Sequence, residues 1–168
     1  ASKLAGEGYC SAYHRTFGIE TICLRFGNVY GPGSGKKMSV VAKFIRKAIR
    51  RETCHIYGDG HQTRDFIYIG DLVNAVVLAL QKDVGGETFQ IATGHEHTVL
   101  ELAEAVSAEL ARHDIQMRLD HEAPRLGDVR RNYSDTSKAS KVLGWEQNTS
   151  FVEGVERTVH YFLNKSHR

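Results

Sequence analysis

The sequence of 168 residues has little net charge, three cysteines, two prolines and no long apolar run. With 22 Lys plus Arg against 20 Asp plus Glu, the formal charge of +2 gives no bulk field of the kind that draws a chain onto nucleic acid. Lys43, Arg46, Lys47, Arg50 and Arg51 do line the faces of one helical segment, but without interleaved aromatic stacking positions they read as a solvated face, and no nucleic-acid partner is expected. Apolar stretches such as 75–80 fall far short of the roughly 20 residues that span a bilayer, so no membrane helix is expected. No charged segment followed by an apolar core opens the chain, so no secretory leader is expected. Cys10, Cys23 and Cys54 are odd in number and include no CxxC pair, which argues against a disulfide framework and against a zinc site, and fits a reducing, cytoplasmic setting. His95, Glu96 and His97 lack the His-Glu-x-x-His spacing, and no metal site is expected. No G-x-x-G-x-x-G turn occurs, and the chain opens without methionine inside a helical pattern, which points to part of a longer protein.

What is present is a folding composition, 41% hydrophobic and 25% charged. Apolar positions at spacings of three and four predict a helix over 4–17, stopped by Gly18, and an amphipathic helix over 38–51. Residues 21–26 and 88–92 read as buried strands of a parallel sheet. Two short strands are predicted around 55–57 and 65–69, divided by Gly58, Asp59 and Gly60. Asp71 is predicted to cap an apolar helix over 72–80 packed on several sides. Thr98 with Glu101 and Ser150 with Glu153 form capping boxes for two further helices. Ile115, Met117 and Leu119 alternate as a half-buried strand, and a short helix is predicted from Asp135 to Gly144. Helices and strands alternate, so the class is α/β, although the two buried strands have few visible partners.

Four stretches occur in a telling order: Ala1-Ser2-Lys3; Arg25-Phe-Gly-Asn-Val-Tyr-Gly-Pro-Gly33; Gly58-Asp-Gly-His-Gln-Thr-Arg-Asp-Phe-Ile-Tyr68; and Arg125-Leu-Gly-Asp-Val-Arg130 with Ser137-Lys-Ala139 and Leu143-Gly-Trp145. Together they resemble the C-terminal portion of the extended short-chain dehydrogenase/reductase family, in its NAD-dependent nucleotide-sugar epimerases and dehydratases. The resemblance covers essentially the whole chain. Ala42, Gly70 and Gln147 depart from the family pattern and leave the subfamily open.

The resemblance implies the C-terminal part of a Rossmann-type parallel sheet plus a small α/β substrate-binding subdomain. Residues 1–30 and about 71–95 would belong to the dinucleotide-binding sheet, and about 31–70 and 96–168 to the subdomain. Lys3 matches the lysine of the family's Tyr-x-x-x-Lys pair, a catalytic and cofactor-binding role; the tyrosine would stand four places earlier, outside this sequence. Val29 and Tyr30 would border the nicotinamide of NAD through their backbone. Asn28, Arg64, Arg125 and Asp128 would bind substrate: Asn28 the sugar or phosphate, the two arginines a diphosphate through paired donors, and Asp128 the ribose hydroxyls. The implied protein is a UDP-hexose 4-epimerase, an isomerase of carbohydrate metabolism that works through a 4-keto sugar, takes a UDP-sugar or related nucleotide-sugar as partner and pairs as a homodimer. A dehydratase or decarboxylase of the same family and a non-catalytic nucleotide-sugar binding module are the alternatives. Whether this chain alone is an enzyme is left open, because the tyrosine and the glycine-rich turn are not in it.

Overall fold

A computed structural model describes residues 1–166. Its elements are α1 (Ser2–Phe17), β1 (Cys23–Phe26), β2 (Asn28–Tyr30), α2 (Val40–Ile49), β3 (Cys54–Tyr57), β4 (Thr63–Arg64), β5 (Phe66–Tyr68), α3 (Ile69–Gln81), β6 (Thr88–Ile91), β7 (His97–Thr98), α4 (Val99–Ala111), β8 (Leu119–Glu122) and α5 (Phe151–Ser166). Strands pair in twos. β1 with β6, β2 with β5 and β3 with β8 are parallel, and β4 with β7 is antiparallel. The fold is α/β, dominated by parallel pairs that need crossovers.

Residues 23–30 change partner halfway. Gly27 N–H donates to Ile91 O, the last contact with β6, and Asn28 N–H donates to Asp65 O, the first with the β5 side. Only a residue without a side chain fits at the crossing, since a Cβ on Gly27 would lie 2.9 Å from Asp65 O and 3.1 Å from Ala92 Cβ.

Two apolar cores result. The first gathers Tyr30, the α2 residues Val41, Phe44 and Ile45, Ile56 of β3, the α4 stripe Val99, Leu102, Val106 and Leu110, and Val155 and Val159 of α5. The second gathers Ile67, Leu72, Ala75, Phe89 and Ile91 with Ala139, Leu143 and Trp145, and Leu24 and Val29 pack against it. The segment 139–145 thus joins the core built on β1 and β6. α5 comes so close to Tyr30 that a Cβ on Gly154 would lie 2.1 Å from the Tyr30 hydroxyl oxygen.

Several expectations are corrected. Asp71 does not cap α3, which starts two residues earlier; it lies in the first turn, buried, and its carboxyl accepts from Asn148 N–H, Thr149 N–H and the Thr149 hydroxyl, while its carbonyl accepts from Trp145 Nε1. α3, expected to pack on several sides, buries Leu72, Ala75 and Ala79 and leaves Val73, Val77 and Leu80 as a solvent-facing stripe. The strand expected at 115–119 sits later, at Leu119–Glu122, because Arg118 O and its successors pair with β3 while Ile115 and Met117 pack on the first core as irregular chain. The strand expected around 65–69 is β5, parallel to β2, and Asp65 divides it from the two-residue β4, which the sequence does not mark. Thr98 and Glu101 do form a reciprocal capping box.

Asp65 is fully buried. Oδ1 accepts from Thr93 N–H and the Thr93 hydroxyl, both at 2.7 Å, and Oδ2 from Gly94 N–H at 3.0 Å and Ser134 N–H at 3.3 Å. Removing such an acceptor strands four donors on half-buried residues at once. Asp65→Ala is expected to destabilise the chain by about 3–5 kcal/mol, against about 1 kcal/mol for Thr93→Val, which removes a single hydroxyl. Denaturant unfolding checks this; a loss for Asp65→Ala no larger than for Thr93→Val would remove Asp65 from its central role.

Candidate functional site

A cleft of about 410 Å³ opens where β2, α2, β3 and β4 meet the loop after β8, and Asn28, Arg64, Arg125 and Asp128 all line it. Each is set there by a local device. Asn28 begins β2 at the change of partner, its N–H fixed to Asp65 O at 2.7 Å. Arg64 ends β4, and its Nη1 donates to Thr63 O at 2.7 Å and to Val129 O at 2.6 Å while Nη2 is ion-paired with Asp128. Its side chain is only 18% exposed. Arg125 lies over the Tyr57 ring, with Cζ 3.6 Å from the centroid, and among the described residues its guanidinium donates to no protein acceptor. Stacking on the aromatic face holds the fork in place without occupying its N–H groups.

The loop carrying Arg125 and Asp128 is fastened at both ends. Arg130 makes a paired contact to the Asp59 carboxyl at 2.7 and 3.0 Å, and its carbonyl accepts from Thr63 N–H. His121 Nδ1 lies 2.7 Å from Gly58 O. A second hollow of about 300 Å³ shares Tyr57, Gln62, Arg125 and Asp128 with the cleft and extends to Asp59 and Arg130. The cleft therefore presents an arginine with free donors, a second arginine engaged by protein, Lys43, one carboxylate and two amides, Asn28 and Gln62, over an aromatic floor. Such a surface suits an anionic ligand that also carries hydroxyls.

The other predicted site residues are not in its lining. Lys3 is exposed on α1. The Val29 side chain packs on the second core, and its carbonyl accepts from Lys37 Nζ at 2.9 Å. Tyr30 is buried, its hydroxyl donates to Phe151 O at 3.2 Å, and burial pushes its phenol well above the usual range. Tyr57, Lys43 and Gln62 were not anticipated. Tyr57 reads as an ordinary strand aromatic before a Gly-Asp-Gly turn, and nothing in the sequence places it beneath an arginine in a later segment.

A further hollow of about 650 Å³ runs past residues 93–97. There the Glu96 carboxyl is engaged by Arg131 and the Thr63 hydroxyl, and the His97 ring stacks on Phe151 at 4.0 Å between centroids.

The Arg130 contact, aided by His61 N–H, holds the Asp59 carboxyl down from 3.8 to about 2. A carboxyl depressed in the folded state contributes stability above its unfolded value and loses it as pH falls through the folded one, so this contribution persists above about pH 4 and fades between there and about pH 2. Carboxyl NMR titration is expected to show Asp59 titrating near 2 and to return it towards 3.8 in Arg130→Ala; an unmoved Asp59 would show that the loop is not fastened this way.

The sequence matches a family model described as GDP-mannose 4,6 dehydratase over residues 1–158. It is 36% identical over 168 residues to a UDP-glucose 4-epimerase of Mycolicibacterium smegmatis, an alignment covering 99% of this chain and 53% of that protein. The fold is similar to a UDP-glucose 4-epimerase from Thermotoga maritima solved with UDP-glucose, with a TM-score of 0.88 and 36% identity over 97% of this chain and 52% of that one. It is similar as well to a Thermus thermophilus UDP-glucose 4-epimerase in complex with NAD, with a TM-score of 0.84 and 31% identity over 95% and 51% of the two chains. The chain spans about half the length of the curated relatives it matches.

Proposed function

The chain belongs to the GDP-mannose 4,6 dehydratase family, within the nucleotide-sugar epimerases and dehydratases of the extended short-chain dehydrogenase/reductases, and on that premise we propose that it is the substrate-binding part of a UDP-hexose 4-epimerase. The observation that carries the reading is the meeting of Asn28, Arg64, Arg125 and Asp128, distant in sequence, in one cleft. Arg125 offers two parallel donors to diphosphate oxygens. Arg64 fixes the loop and leaves its remaining donors to the same anion. Asp128 gives Oδ1 to Arg64 and keeps Oδ2 for ribose hydroxyls. Asn28 addresses the sugar.

In the whole protein the reaction is inversion at C4: the 4-hydroxyl proton passes to a base, the C4–H leaves as hydride, and both return with the hydride on the opposite face, so no net oxidation results. NAD, when bound, supplies the hydride acceptor and donor. Lys3 fits a role beside it, because its ammonium is exposed and meets no protein acceptor among the described residues; there it would hold the cofactor ribose and favour a neighbouring phenolate. Val29 and Tyr30 can border the cofactor only through backbone, since the Tyr30 ring is committed to the core. The core built on β1 and β6 would be the dinucleotide-binding side. The free thiols Cys10, Cys23 and Cys54 suit a reducing compartment, and among the described residues no helix is long and apolar enough to cross a membrane.

The family's own description favours a second reading, a dehydratase, and product analysis of the whole protein separates them: a C4 epimer supports the first, while loss of water or of carbon dioxide replaces it. For binding, Arg125→Ala is expected to weaken UDP by about tenfold or more, from charge-assisted bonds of about 1.5–3 kcal/mol, while Arg50→Ala, at the exposed residue that follows α2, changes it by less than about threefold. Calorimetry on the full chain checks this, and equal losses would move the phosphate site elsewhere.

For assembly, we propose that two copies pair through the stripe Tyr9, Tyr13 and Phe17 of α1. These residues recur every four positions, all are exposed, and the helix has no buried residue. Tyr13→Lys is expected to shift sedimentation towards monomer; an unchanged concentration dependence would exclude this face.

A further inference from the structure

Away from the cleft, three potential metal ligands converge where the end of α4 meets α5. Glu109 and His113 stand four residues apart, and His160 is supplied by α5. Glu109 Oε1 lies 3.2 Å from His160 Nε2 and 3.5 Å from His113 Nε2, and the two Nε2 atoms are 3.4 Å apart. Donor atoms held about 2.0–2.1 Å from a tetrahedral zinc ion stand roughly 3.3–3.4 Å from one another, so the three atoms trace one face of such a tetrahedron.

The surroundings fit an ion as well. The Glu109 side chain is only 8% exposed, yet among the described residues the sole full cation on it is the exposed Arg112, whose Nη1 donates to Oε2 at 3.0 Å. That contact orients the carboxylate and leaves Oε1 to the two imidazoles, the arrangement an outer partner gives a metal-bound carboxylate. The rings stand edge to face at 83°, so their Nε2 atoms can point to one centre without the rings colliding. Both histidines are exposed, which gives an ion access and leaves the fourth position to water. Two imidazoles and one carboxylate are a donor set for zinc and its neighbours in the first transition row, not for calcium or magnesium.

We propose that Glu109, His113 and His160 bind a divalent transition-metal ion, zinc by its donor set, which clips α5 to α4. Reading local spacing alone could not find it, because the two histidines are 47 residues apart. With only protons present, Nε2–H groups on Oε1 can hold the same triangle, so the experiment must detect the ion itself. Zinc chloride titrated into the metal-stripped full chain is expected to bind once per chain and raise the melting temperature, and chelator is expected to reverse the shift. Cobalt(II) is expected to show the intense visible absorption of a four-coordinate site. His113→Gln and His160→Gln, both at exposed positions, are each expected to weaken zinc by more than about tenfold and abolish the cobalt band, while His95→Gln leaves both unchanged. Absence of zinc binding, or binding that survives His113→Gln and His160→Gln, would overturn the proposal.

Discussion

The structure is organised around the two oxygens of Asp65. A buried acidic side chain with no cation paired to it among the described residues is costly unless every lone pair has a donor, and here the donors come from the chain after β6 and from Ser134, segments remote from one another in sequence. Its backbone carbonyl meanwhile accepts from Asn28. One residue thus joins β2, the loop after β6 and the start of the 134–145 segment, and it stands beside Arg64, which faces the cleft. The position of the arginine is a consequence of where its neighbour must be buried.

The cleft shows a division of labour between its two arginines that their charge alone would not reveal. Arg64 directs N–H groups at protein carbonyls and Asp128, and so resembles a rivet; Arg125 lies on Tyr57 with its fork free. Arg46, on the basic face of α2, is a rivet too, donating to Gly35 O and Lys37 O and so bracing the loop that follows β2. A helix charge that reads as solvated can be engaged by backbone whenever a loop leaves carbonyls unpaired nearby.

The α/β class, the Thr98 capping box and the meeting of Asn28, Arg64, Arg125 and Asp128 were legible because each rests on local pattern or on motif order. Asp71, Asp65 and Tyr57 were not, for one shared reason: their partners lie far along the chain. Asp71 has the look of a cap because an acid before an apolar helix is ordinarily satisfied by its own first turn, but here Asn148 and Thr149 offer donors that it meets by being inside the helix. The solvent-facing Val73, Val77 and Leu80 were hidden for a different reason, since an almost wholly apolar helix carries little periodic signal to say which side is covered.

The change of partner at Gly27 has a mechanical side. Residues 23–30 form one continuous stretch whose Leu24 and Val29 belong to the second core and whose Tyr30 belongs to the first. A hinge between the cores would have to shear the Gly27–Ile91 and Asn28–Asp65 hydrogen bonds together and draw a backbone already in close contact with Asp65 and Ala92 past both. The stretch acts as a splint. The span 124–130, by contrast, is held by the Arg130–Asp59 contact, by the stacking of Arg125 on Tyr57 and by the Thr63–Arg130 backbone bond rather than by strand pairing, so the cleft joins a splinted frame to a separately fastened rim.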